Sequence, residues 1–143
     1  ADLVRSWPTG RIKLAWTRYL LRLRDELAVV FTEGSYEPLE VTGPHRDHII
    51  AFARRHGRDA AIVVTARAFA PFTDGWRLWP QAEAFDASVH IEGYKIADGT
   101  HASELPVSSL FGHLPVAAVS ARLQSASHPS RRPSPAPADA SPG

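Results

Sequence analysis

A long helical pattern opens the sequence, and short segments typical of β-strands follow it. Between Gly10 and Val30 large apolar residues recur every three or four positions, the spacing that places them on one face of an α-helix. These residues are Ile12, Trp16, Tyr19, Leu20, Leu23, Leu27 and Val30. Glu33-Gly34-Ser35 then breaks the pattern. We therefore predict one amphipathic helix at residues 10–30, with more apolar surface than a small β domain can cover.

After residue 35 short apolar or alternating segments are separated by glycine-containing turns, which indicates antiparallel strands. We predict strands at residues 36–41, 48–54, 60–68, 87–92 and 114–120, and a strand or short helix at residues 105–111. Pro38 favours an edge position for the first strand, because proline cannot donate to a β-ladder. The fold class is therefore α+β and mainly β, with the helix before an antiparallel β-sandwich-like domain.

Composition separates a packed part of the chain from its C-terminal end. Hydrophobic residues make up 44% of the 143 residues, which suits a domain with a core. Residues 123–143 are rich in serine, proline and alanine, and we predict a disordered tail there. A net charge of +1 gives no strong attraction to nucleic acid, and no apolar run is long enough to span a membrane. With no signal-peptide pattern, the cytoplasm is the expected location.

Three segments carry a resemblance to a known family. They are GRIKLAWTRYLLRLRDELAVVFTEGSYEPLE from Gly10, HIIAFARR from His48 and ELPVSSLFGHLPVAAVSA from Glu104. Together they resemble the C-terminal end of the maltooligosyltrehalose synthases, which belong to the α-amylase superfamily. The resemblance implies that residues 1–30 hold the last helix of a (β/α)8 catalytic barrel and that residues 31–122 form a C-terminal antiparallel β domain. A complete barrel needs about 250 residues, so the resemblance implies a fragment.

The family converts the reducing-end α-1,4 bond of a maltooligosaccharide into an α,α-1,1 trehalose bond by intramolecular transglucosylation. Its catalytic carboxylates belong to the barrel, so the resemblance gives this chain no catalytic residue, no cofactor and no metal. We expect the fragment to be structural and inactive by itself. The implied partners are the missing barrel, in the same or a separate chain, and a maltooligosaccharide for the whole enzyme. The alternative is a free-standing β-rich module that binds glucan or another protein.

Trp76 and Trp79 are the candidate substrate-binding residues. Aromatic faces stack on sugar rings, and two tryptophans in one loop can form a platform for a glucan. The alternative is that they close one end of the sandwich or pack against the missing barrel.

Three other polar groups are better interpreted as solvated surface. His45, Asp47 and His48 are metal-ligand types, but histidines three apart in an extended segment point in different directions. Ser108 or Ser109 with a nearby histidine, His101 or His113, lacks the glycine pattern of a nucleophile elbow. Glycoside chemistry needs a pair of carboxyl groups, and the candidates for such a pair match none of the family's catalytic motifs; they are Glu83, Asp86 and Glu92.

Overall fold

An N-terminal helical segment and eight antiparallel strands make up the part of the chain that the computed structural model describes, residues 10–75 and 80–124. Helix α1 spans Arg11–Glu26 and helix α2 spans Ala28–Glu33. The strands are β1 (Ser35–Pro38), β2 (Val41–Thr42), β3 (Ile49–His56), β4 (Asp59–Ala66), β5 (Ser88–His90), β6 (Tyr94–Ile96), β7 (Glu104–Pro106) and β8 (Val116–Leu123), with helix α3 (Val107–Leu110) before β8. The predicted α+β, mainly β class is confirmed. Leu123 still belongs to β8, and the predicted tail lies outside the described residues from 125 onward.

Two antiparallel sheets enclose the main apolar core. One has five strands in the order β1-β3-β4-β8-β6, and the other has three in the order β2-β5-β7. Because successive side chains alternate between the faces of a strand, each strand sends every second residue inward. Ile62 of β4, Val89 of β5 and Leu105 of β7 meet in this way and are almost fully buried. Pro38 lies in β1 at the edge of its sheet, as predicted.

The helices pack on the opposite face of the five-stranded sheet. Leu23 of α1 and Val30 of α2 are buried, with exposed fractions of 5% and 2%. Tyr19 donates a hydrogen bond from its hydroxyl to the carbonyl of Ala118 in β8, at 2.6 Å. Burial of each large aliphatic side chain stabilises the fold by about 1.5–3 kcal/mol. One face of the helix therefore belongs to the folded unit.

The prediction of one continuous helix at residues 10–30 is wrong near the C-terminal end of that segment. Leu27 leaves helical geometry, with φ −115° and ψ 36°, and separates α1 from α2. Gly34 then follows α2 and donates its N–H to the carbonyl of Val30 at 3.1 Å. Neither glycine nor proline stands at the break, so the sequence pattern carried no signal for it.

The strand predicted at residues 36–41 is divided between the two sheets. Leu39 still donates its N–H to Ala51 of β3, whereas the carbonyl of Glu40 accepts from His90 of β5. The chain therefore changes sheets between residues 39 and 40. Two other differences concern short elements: β6 was not predicted, and the segment at residues 105–111 is a strand followed by a helix.

A hydrogen bond between the edge strands shows that the five-stranded sheet is rolled. Tyr94 of β6 donates its hydroxyl to Glu37 Oε2 of β1, at 2.6 Å. In a flat sheet four spacings of about 4.8 Å would place these strands about 19 Å apart, farther than the two side chains reach. Ala53 of β3 and Ala60 of β4 are fully buried in the core between these edge strands.

Among residues 10–75 and 80–124, none of the helices combines the length and the apolar character that crossing a membrane requires.

Candidate functional site

Trp76 and Trp79 lie outside the described residues. Their contact with sugar therefore stays a prediction from the sequence.

An open groove of about 420 Å³ lies where the chain enters β5 and leaves β7. Its walls carry two carboxylates, Glu83 and Asp86, and two hydroxyl groups, Ser88 and Ser108. Phe85, Ala87 and Pro106 complete the lining. The groove therefore offers hydrogen-bonding groups to a polar ligand, and Phe85 is too deeply buried to offer a ring face.

The carboxylates and serine–histidine pairs proposed from the sequence are only partly brought together. Glu83 and Asp86 share the groove, whereas Glu92 is not among its lining residues. Ser109 donates its hydroxyl to the carbonyl of Pro106 at 2.7 Å. Nδ1 of His101 lies 2.8 Å from the side-chain amide nitrogen, Nε2, of Gln124. These two side chains are therefore engaged with other partners and form no nucleophile–base pair.

His45 and His48 lie side by side, with ring centroids 6.3 Å apart. Each ring meets the ring of Phe72 edge-on at 5.0 Å, and Phe72 in turn contacts Phe85 at 4.9 Å. Within residues 10–75 and 80–124 no three metal-ligating side chains come together in a way that could hold a metal ion. The two histidines therefore begin a chain of ring contacts that leads into the core.

Three titrating groups with shifted pKa values surround the hydrogen bond that joins the edges of the rolled sheet. Arg55 Nε donates to Glu37 Oε1 at 2.6 Å, beside the bond from Tyr94. The hydrogen bond from Tyr94 is the largest cause that lowers the pKa of Glu37, and Arg55 lowers it further. Burial first, and then Glu37, raise the pKa of Tyr94 to about 12. This cluster ties β1, β3 and β6 together and is structural in character.

Replacing Tyr94 by phenylalanine should destabilise the protein by about 1–2 kcal/mol at pH 7, because it removes a hydrogen bond to a charged carboxylate. Urea unfolding followed by circular dichroism gives the change. Tyr36→Phe is the matched control, since Tyr36 is 56% exposed. It should leave the free energy of unfolding unchanged. A Tyr94→Phe variant as stable as the wild type would show that the edge strands do not depend on this bond.

The two pKa shifts also set the pH range of this stabilisation. A raised tyrosine pKa contributes stability that is complete below pH 10 and is lost as the pH rises toward about 12. A lowered glutamate pKa contributes stability above about 4.5 that is lost as the pH falls below it. The difference between the wild type and Tyr94→Phe should therefore shrink at both extremes.

The outward side of α1 carries a second apolar surface that the sheet does not touch. Leu14 and Leu21 are seven residues apart and so lie on one face, and they are 72% and 52% exposed. Leu14 precedes Leu23 by nine residues, about 2.5 turns at 3.6 residues per turn, which places the two on opposite sides of the helix. We call Leu14 and Leu21 the outer ridge.

Basic side chains border the outer ridge. Arg18 lies between its two leucines along the helix, and all the basic residues of α1 are exposed. They are Arg11, Lys13, Arg18, Arg22 and Arg24, against Asp25 and Glu26 at the C-terminal end. The outer ridge therefore suits a partner surface with an apolar centre and an acidic border.

The predicted apolar stripe of the helix is confirmed only in part. Leu23 and Val30 are buried, but Tyr19 and Leu20 remain 42% and 37% exposed. The outer ridge was missed, although the spacing of its two leucines is itself a helical signal. The stripe on the opposite face is longer and richer in aromatic residues, so the sequence pattern favours it as the face that packs.

A likeness to this chain is found among solved structures. No family model matches the chain, and no curated protein matches it. Among solved structures, the S44P mutant of maltooligosyltrehalose synthase from Arthrobacter ramosus is similar, with 24% sequence identity and a TM-score of 0.46. The match covers 71% of this chain and 12% of that one, so it concerns only a small part of that protein.

Proposed function

We propose that this chain is the C-terminal portion of an enzyme of the maltooligosyltrehalose synthase type. In this proposal residues 1–30 contain the last helix of the catalytic barrel, and residues 31–122 form a β domain that holds this helix in place. The whole enzyme would rearrange the reducing-end bond of a maltooligosaccharide into a trehalose bond. The likeness of the segments from Gly10 and His48 to that family supports the assignment.

The observation that carries the proposal is that α1 is apolar on two sides. Its inner side packs on the sheet through Leu23, and its outer ridge faces away from everything else in the described residues. A helix with apolar residues on opposite sides is typical of a position between two packed layers. The β domain supplies one layer, and the proposed barrel supplies the other.

The proposed role of the chain is structural. Catalysis by retaining glycoside chemistry requires two carboxyl groups placed on either side of the scissile bond. Glu83 and Asp86 share an open groove, but the proposal gives them no part in the reaction, because the family's catalytic carboxylates belong to the barrel.

The purified chain should form no non-reducing product from maltopentaose, because the proposed active site lies in the barrel. The loss of reducing ends measures the reaction. The control is the longer enzyme that this proposal implies, with the barrel present, which should consume reducing ends under the same conditions.

Two results would contradict the proposal. One is an upstream frame without a barrel-coding sequence. The other is product formation by the chain alone that disappears when Glu83 or Asp86 is replaced by the corresponding amide.

A further inference from the structure

His45 and Asp86 are joined by two hydrogen bonds that extend the pairing of β2 with β5. The N–H of His45 donates to the carbonyl of Asp86 at 3.0 Å, and the N–H of Asp86 donates to His45 Nδ1 at 2.9 Å. Thr42 pairs with Ser88 just before this point. Gly43, at φ 100°, lets the turn approach closely, since a Cβ there would lie 2.8 Å from the carbonyl oxygen of Asp86.

This pair holds one wall of the groove. Phe85, Asp86 and Ala87 all line the groove, and the main-chain N–H and carbonyl of Asp86 both bond to His45. We call the two hydrogen bonds the His45–Asp86 latch.

The hydrogen bond from the N–H of Asp86 to His45 Nδ1 fixes which nitrogen of the imidazole carries the proton. A backbone N–H can only donate, so His45 Nδ1 must present a lone pair, and the ring proton must reside on Nε2. Histidine is the side chain that ordinarily changes charge between about pH 5 and 8. A proton on Nδ1 would place two N–H groups against each other and remove the bond.

We propose that the His45–Asp86 latch is a pH-sensitive device that fixes the groove wall at neutral pH and releases it when His45 is protonated. The neighbouring His48 takes no part in the two hydrogen bonds, and its Nδ1 is buried without a hydrogen-bond partner among the described residues. The rings of His45 and His48 both pack against Phe72, which in turn contacts Phe85 in the groove wall. This device is independent of the proposed barrel.

Several charged and titratable groups lie on the segments around His45. Its own turn contributes Arg46, Asp47 and His48, and the groove segment contributes Glu83 and Asp86. Arg67, after β4, donates to the carbonyl of Asp47 at 2.9 Å. The Asp86 carboxylate needs its own control, because an ion pair between it and a protonated His45 is an alternative to release of the latch.

The test is amide hydrogen exchange of the full chain, followed by NMR between pH 7.5 and pH 5. The protection factor of the Asp86 amide should fall about five- to tenfold, as expected for the loss of one hydrogen bond. Amides of β4 should keep their protection. A local readout is needed because the chain has other histidine–carboxylate contacts, His90 to Glu104 at 3.8 Å and His56 to Glu33 at 3.9 Å, so a global stability measurement would not isolate His45.

Two substitutions distinguish protonation of His45 from titration of other groups and from an effect of the Asp86 carboxylate. In His45→Asn the side-chain oxygen takes the place of Nδ1 as acceptor but does not titrate, so Asp86 should stay protected at both pH values. In Asp86→Asn the carboxylate is removed and the main-chain bonds remain, so the pH dependence should persist.

Any of three results would overturn the proposal: unchanged protection of Asp86 in the wild type, pH dependence that survives in His45→Asn, or its loss in Asp86→Asn. The imidazole nitrogen shifts of the wild type give a further check that requires no variant. They should show the proton of His45 on Nε2 at pH 7.5, and a proton on Nδ1 at that pH would also contradict the latch.

Discussion

Replacing Phe85 by alanine should destabilise the protein by about 3–5 kcal/mol, the range for removing a buried aromatic ring from a core. Phe85 is 2% exposed, and its ring centroid lies 4.9 Å from that of Phe72 and 5.6 Å from that of Phe111. The cavity would open where the loop before β5 meets α3. Domains of this size are typically stable by only about 5–15 kcal/mol, so the midpoint of urea unfolding should fall sharply.

Phe52→Ala is the matched control for this prediction. Phe52 lies on the outward face of β3, is half-buried, and contacts Tyr36 at 5.0 Å. Its loss should cost less than half as much as the loss of Phe85. Equal losses for the two variants would mean that Phe85 does not anchor the core.

Local apolar patterns made the strands around the core predictable. The strand β4 was predictable as a short apolar run centred on Ile62, Val63 and Val64, and Ile62 and Val64 are buried. The strand at residues 87–92 was predicted from alternation, and Val89 and Ile91, which share one face in that pattern, are both buried. No periodic pattern predicts the burial of Phe85, because this residue lies in the irregular segment before β5 and belongs to no strand.

Other features depend on contacts between residues far apart in sequence. The change of sheet between residues 39 and 40 is set by bonds to Ala51 and His90, which a local pattern cannot reveal. β6 has only three residues, too few for a periodic signal, and its place is set by pairing with β8.

The groove and the latch were not predictable either. The groove joins residues near 85 with residues near 107, and His45 meets Asp86 across 41 positions of sequence. The individual side chains could be recognised as polar candidates, but the sequence contains nothing that brings them together. The sequence identifies Glu83 and Asp86 as candidate carboxylates, and only the fold shows that they line the same groove.

Replacing both Leu14 and Leu21 by glutamine should abolish hydrophobic-dye binding and self-association of the isolated chain while the fold is retained. The outer ridge is the most exposed apolar part of α1, and without a partner it offers a site for dyes or for other copies of the chain. Because both leucines lie opposite Leu23, their replacement should change the free energy of unfolding by less than about 0.5 kcal/mol. Dye fluorescence and sedimentation velocity measure the effect.

Trp16→Gln with Leu20→Gln is the contrasting variant, since these residues belong to the stripe that the sequence identified as the packing face. Trp16 is half-buried and stacks on Tyr19 at 5.2 Å, next to the hydrogen bond from Tyr19 to Ala118. This change should loosen α1 from the sheet and increase dye binding, which is the opposite result. If it instead removes the association and the Leu14 and Leu21 changes do not, the stripe and not the outer ridge is the docking face, and the orientation proposed for the barrel is wrong.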